Sequence, residues 1–159
     1  MKWLVIIIGC MCMIACKKDP EFNNYKIKAT ISNKSMKSVP AIFYNNETMF
    51  SKTVVSRGEQ IFVSGIKTGG EYSLVLSILN PTIGTFDLYN SMQANCSPVI
   101  PWDLSQNPNN HYTTSQGGSG SITVESLTDS TIIGSFNAIC IGLNDTLTII
   151  NGTFSGNFN

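Results

Sequence analysis

The sequence predicts an all-β domain, two antiparallel sheets packed as a β-sandwich of about nine or ten short strands. Three observations predict it. Apolar and polar residues alternate with period two along most of the chain, and almost no helical period is present. Turn signals such as Arg57-Gly58 and Asn80-Pro81 punctuate the alternating runs. Charged residues make up only 13% of the chain, so Ser, Thr, Asn and Gly must do much of the solvating, as in many secreted β-domains. A lipocalin- or calycin-like closed barrel is the alternative, because frequent glycines and a closing meander also suit closure.

The elements follow in order. Ile27, Ala29 and Ile31 alternate with Lys26, Lys28 and Thr30 as a first strand. Residues 39–44 form a second, with Pro40 marking an edge or a strand start. Strands over 48–55 and 60–63 flank the Arg57-Gly58 turn. Residues 72–79 place Tyr72, Leu74, Leu76 and Ile78 on one face before Asn80-Pro81 ends the strand, and 85–89 form the next. Residues 91–118, with three prolines, an Asn cluster and Gly117-Gly118, read as a long loop with one short strand near 111–114. Loops of that length are often functional. Three strands over 121–126, 131–141 and 146–158, joined by two short turns, read as a meander. Gly84-Thr85-Phe86, Gly134-Ser135-Phe136 and Gly152-Thr153-Phe154 repeat one pattern, in which each Phe fills the core and each Gly lets the sheet coil.

Residues 1–15 read as a signal peptide and 16–24 as a flexible tether before a single domain over 25–159. Lys2 precedes an apolar run of thirteen residues, Trp3 through Ala15. A membrane-spanning helix needs about 20 apolar residues, so the run fits a signal sequence better than a permanent span. Met13-Ile14-Ala15-Cys16 resembles the bacterial lipobox, with Met where Leu is commoner. The expectation is a lipoprotein with lipidated Cys16 as the first mature residue, anchored to the membrane by several acyl chains. The following Lys17-Lys18-Asp19-Pro20-Glu21 is similar to the Lys-plus-acid signal that sends Bacteroidota lipoproteins to the cell surface, or is simply a solvated tether.

Ten basic residues, one of them Lys2 in the leader, face ten acidic ones, so the mature chain is nearly neutral. Nucleic-acid binding needs concentrated basic charge, which is missing. Cys10 and Cys12 leave with the leader, and Cys16 carries lipid. Cys96 and Cys140 remain, either as a disulfide closing a loop of about 45 residues or as two free thiols with Cys140 buried as a small hydrophobe. Two cysteines and one histidine are too few for a zinc site, and no metal or other cofactor is expected.

No catalytic constellation emerges. His111 is the only histidine, Asp87 and Asp103 are its possible orienters, and no nucleophile elbow is present. Asp103, Asn107, Asn109 and Asn110 lack calcium-loop spacing. The expectation is a non-enzymatic protein. Its candidate ligand-binding residues are Trp102 and Tyr112, in or beside the long loop, and Tyr89 just before it. Aromatics among Asn and Gln side chains stack on sugars or peptides, and loops on a rigid β-scaffold carry recognition. The competing reading has Trp102 plugging the end of the sandwich.

The run Gly118-Ser119-Gly120-Ser121-Ile122-Thr123-Val124, then Ile133-Gly134-Ser135-Phe136, then Ile149-Ile150-Asn151-Gly152-Thr153-Phe154, resembles the signature of a family of uncharacterised Bacteroidota β-sandwich lipoproteins. Asn80 to Leu88 is similar to that family's central Gly-Thr-Tyr-like strand, with Phe86 in place of Tyr. The resemblance spans roughly 25–159 and implies a β fold and an outer-membrane location, on the cell surface or the periplasmic face, with no activity attached. Asp145-Thr146-Leu147 and Asp129-Ser130-Thr131 are similar to the phylum's O-glycosylation sequence, which would place sugars on Thr146 and Ser130; as residues alone they are ordinary turn exits. The expected function is recognition of a carbohydrate or an envelope protein. The alternatives are a purely structural surface lipoprotein, or a calycin-like carrier of an apolar ligand or inhibitor of an enzyme.

Overall fold

A computed structural model describes residues 26–33, 38–67, 72–89, 92–99, 111–143 and 145–159. The expected signal peptide, Cys16, the tether, Trp102, Asp103 and the Asn cluster of the long loop lie outside them.

Among the described residues ten strands form two antiparallel sheets. Sheet A carries six: β1 Lys26–Ser32, β2 Val39–Phe43, β6 Gly84–Asp87, β8 Ser119–Leu127, β9 Thr131–Ile141 and β10 Thr146–Asn157, in the order β2-β1-β10-β9-β8-β6. Sheet B carries four: β3 Thr48–Val55, β4 Gly58–Ile66, β5 Ser73–Leu79 and β7 Ala94–Val99, in the order β3-β4-β5-β7. The sheets are not closed into a barrel, so the sandwich expectation holds and the calycin-like alternative does not. The C-terminal meander β8-β9-β10 is as expected, and β10 pairs with β1 to join the two ends of the domain.

Alternation decides which face is buried. Leu74, Leu76 and Ile78 of β5 are fully buried while Ser73, Val75 and Ser77 face outward, and β9 buries Ile132, Phe136, Ala138 and Cys140 in the same way. In β10 the apolar phase slips between Ile149 and Gly152, and a bulge there absorbs the slip. Asn151 takes the left-handed turn of the bulge at φ 54°, and its N–H bonds Asn137 Oδ1 at 3.1 Å. Leu147 and Ile149 before the bulge, and Gly152 and Phe154 after it, all reach the core.

Four buried phenylalanines each rest on a glycine. Within sheet A, Phe136 lies over Gly152 and Phe154 over Gly134, two neighbouring cross-strand pairs. Between the sheets, Phe43 of sheet A sits on Gly65 of sheet B, and Phe50 of sheet B on Gly156 of sheet A. A Cβ at any of these glycines would fall 2.4–2.5 Å from the ring, well inside van der Waals contact. Two of the three Gly-x-Phe motifs therefore work as sockets for a ring on the next strand. Gly84 differs: open space surrounds it, and its φ of +145° is what demands glycine.

Strand β7 corrects the expected loop over 91–118. Pro98 argued against a strand, but it sits where it does no damage. The Cys96 N–H points away from β5 and bonds Thr114 Oγ1 at 3.1 Å. Pro98, two residues on, turns its missing N–H the same way, while its carbonyl accepts from the Tyr112 N–H at 3.0 Å. The segment 111–114 thus seams the sheets, with His111 bridging to Val99 of β7 and Thr113 to Ile141 of β9.

Candidate functional site

Three segments distant in sequence meet on the outer face of sheet B. Ile61 and Ile78 point into the core, so their neighbours Gln60, Ser77 and Leu79 point out. The β3–β4 turn rises on one side with Val55, Ser56 and Arg57, and the β6–β7 connection on the other with Met92 and Gln93. Together they enclose a solvent-open groove of about 500 Å³, within the range of small-ligand sites.

The groove is built on fixed backbone. Asn80, at φ 50°, turns back over the β3–β4 hairpin. Its Oδ1 accepts from the Glu59 N–H at 3.2 Å, its Nδ2 donates to the Arg57 carbonyl at 3.3 Å, and its own N–H donates to the Glu59 carbonyl at 2.6 Å. Gly58 makes room for that side chain, since at φ +127° its Cβ would collide with Asn80 Oδ1. On the opposite rim the Leu79 N–H donates to the Gln93 carbonyl at 2.7 Å. A non-glycine residue held at positive φ by such bonds marks a conformation the surroundings impose.

Arg57 is the chain's single arginine. It lines the groove together with two amides, Gln60 and Gln93, and two hydroxyls, Ser56 and Ser77, with Val55, Leu79 and Met92 as apolar surface. Among the described residues the lining contains no carboxylate, histidine or thiol, and it offers hydrogen bonds and one fixed positive charge. The hairpin turn was legible in the sequence as Arg57-Gly58, but the convergence of 55–60, 77–79 and 92–94 was not. The one available signal was a lone arginine placed in a tight turn.

The residues expected from the sequence divide. Tyr89 is 71% exposed, its N–H bonded to Asp87 Oδ1 at 2.8 Å, and it lies in the same β6–β7 connection as Met92. Tyr112 is a correction: it is 9% exposed and packs against Gly142 and the core, so it has no open face on which a ligand could stack. Burial raises its phenol above the ordinary range, the Asp145 carboxylate adds to the rise, and a hydrogen bond with Asn33 opposes it. Thr114 beside it is fully buried yet satisfied, accepting from Cys96 N–H and donating to Asn95 Oδ1 at 2.8 Å.

His111 is exposed, and Asp87, its possible orienter, holds the Tyr89 N–H instead. Among the described residues no group of three or more His, Cys, Asp or Glu side chains converges on a metal-sized space. Ser130 is exposed in the β8–β9 turn, and its carbonyl accepts from the Phe158 N–H at 2.8 Å. Thr146 opens β10 half-buried, its N–H on Asp145 Oδ1 at 2.7 Å. Cys96 and Cys140 are both fully buried and are not bonded to one another in this structure, with Cys140 Sγ 3.8 Å from the Cys96 carbonyl oxygen. No known protein family, curated protein or solved structure matches the chain.

Proposed function

We propose that this protein is a lipid-tethered, non-enzymatic component of the bacterial envelope that recognises a carbohydrate or an envelope protein through the groove on sheet B. The observation that carries the reading is the groove itself, lined by a lone arginine, two amides, two hydroxyls and the apolar Val55, Leu79 and Met92, with its hairpin backbone clamped by Asn80. Neutral hydrogen-bonding groups beside apolar surface suit a sugar ring, with its hydroxyl rim and C–H face. A single Arg adds attraction for an acidic substituent. Tyr89 supplies an exposed ring on the adjoining connection.

The tether follows from the sequence: a short apolar leader ending in Ala15-Cys16, then a polar stretch up to the first strand. Lipidation of Cys16 would hold the domain at the outer membrane, with no nucleic-acid partner, and Thr146 and Ser130 would be its candidate glycosylation sites.

Screening the protein on a glycan array, followed by calorimetry on any hit, tests the reading. Binding that falls at least tenfold in Arg57→Ala, and is retained in His111→Ala, is the expected result. A hit that survives Arg57→Ala and Gln93→Ala together would move the recognition surface off this groove.

A further inference from the structure

Cys96 and Cys140 stand on different sheets. Cys96 lies in β7, the edge of sheet B, and Cys140 near the end of β9, inside sheet A. Both side chains are at 0% exposure, and Cys140 Sγ reaches within 3.8 Å of the Cys96 carbonyl oxygen. Their 44-residue separation in sequence is closed by the fold alone. The surrounding backbone is fixed: Thr114 holds the Cys96 N–H, and Thr113 pairs with Ile141 next to Cys140. Two thiols would not form a structural zinc centre, which takes four ligands, and an isolated buried thiol needs no partner. What the fold supplies is a facing pair of cysteines across the seam between two sheets.

We propose that Cys96 and Cys140 are joined as an inter-sheet disulfide that staples the edge of sheet B to sheet A. The bond is made by thiol–disulfide exchange with an oxidised dithiol donor of the exported compartment. The thiolate of one cysteine attacks the donor disulfide, forming a mixed disulfide and releasing one donor thiolate. The second cysteine then attacks the protein sulfur of that mixed disulfide and expels the other donor thiolate. The two protein thiols lose two protons and two electrons, and the donor disulfide is reduced to two thiols. Exchange must precede closure of the core, because in the folded chain both thiols are out of reach. Burial also pushes the Cys96 thiol well up, with Cys140 beside it adding to the rise, which disfavours the attacking thiolate. Once made, the staple is shielded from soluble reductant by the same packing.

The chemistry rests on the export reading above only for its oxidant, so two arms separate the claims. In the first, the full-length chain is unfolded, refolded in a buffer of reduced and oxidised glutathione, quenched with acid, alkylated under denaturing conditions and mapped by mass. The peptides carrying Cys96 and Cys140 should be recovered linked and unalkylated, and reduction should lower Tm by on the order of 10 °C. Alkylated Cys96 and Cys140, or glutathione adducts on them, would overturn the proposal. In the second, the protein is acid-quenched directly from cells of its native host. A linked pair there supports both the staple and export. A pair linked in the buffer but reduced in cells would overturn the staple as a bond of the native protein and leave only a pair able to form it.

Discussion

A methyl group placed on Gly65 should unseat the two sheets from one another. Its Cβ would lie 2.5, 2.7 and 2.8 Å from Cγ, Cδ1 and Cδ2 of Phe43. Carbon atoms rest at about 3.5–4.0 Å, so the ring must retreat by about 1 Å. It has little room to do so, for Phe43 is fully buried and Tyr72 meets it edge-on at 5.3 Å and 75°. Overpacking of this kind costs about 1–3 kcal/mol. The restricted unfolded chain returns about 0.4–1 kcal/mol when alanine replaces glycine, leaving Gly65→Ala destabilised by about 1.3 kcal/mol at the midpoints of the two ranges, within about 0–2.6 kcal/mol. Urea unfolding of residues 17–159 followed by circular dichroism measures this. Repeating it in a Phe43→Leu background, where the ring is gone, should shrink the cost of Gly65→Ala by at least about 1 kcal/mol. Strict additivity of the two changes would refute the socket argument.

Thr114→Val should lose about 1–3 kcal/mol in the same assay, because the buried Cys96 N–H would keep no acceptor; a loss under about 0.5 kcal/mol would mean another group takes the bond. Asn80→Ala should destabilise by about 1–2 kcal/mol through lost turn bonds and a strained positive φ, whereas Asn80→Gly should relieve the strain and lose only the bonds. Tyr112 and Lys67 both have folded pKa values above their ordinary ones, Tyr112 by burial and Lys67 by its hydrogen bond to Glu47. The stability each contributes is complete below about pH 10 and lost as pH rises through the folded value. Denaturation midpoints should therefore fall above pH 10, and Tyr112→Phe should flatten that fall; a midpoint level to pH 11.5 would contradict both shifts.

Much of the fold was legible because its strands are half-buried and alternate cleanly. The bounds of β3 and β9, 48–55 and 131–141, coincide with those the alternation predicts. β7 was hidden by Pro98, because the sequence does not say which way a strand's N–H groups turn. The Gly-x-Phe repeats pointed to core phenylalanines and coiling glycines, but which ring meets which glycine depends on cross-strand register and on how the sheets face. Tyr112 looked like a loop aromatic because polar residues flank it. Thr114 is buried there too, as a hydrogen-bond partner for Cys96, and that breaks the apolar-in rule the reading relied on. The groove was illegible for a different reason, since none of its three segments is unusual alone and Arg57 gains meaning only from Gln60 and Gln93 beside it.

The most direct test of the groove as the recognition surface is a chemical-shift map. The ¹⁵N-labelled domain is titrated with the glycan fraction extracted from the envelope of its native host. If the groove recognises that material, the perturbed amides cluster at Arg57, Gln60, Ser77 and Gln93, with Tyr89 at the margin, and the pattern disappears in Arg57→Ala. Perturbations confined to the outer face of sheet A, around Thr123, Ser135 and Thr153, would contradict it, as would a titration with either the glycan or the envelope-protein fraction that leaves the groove amides unmoved.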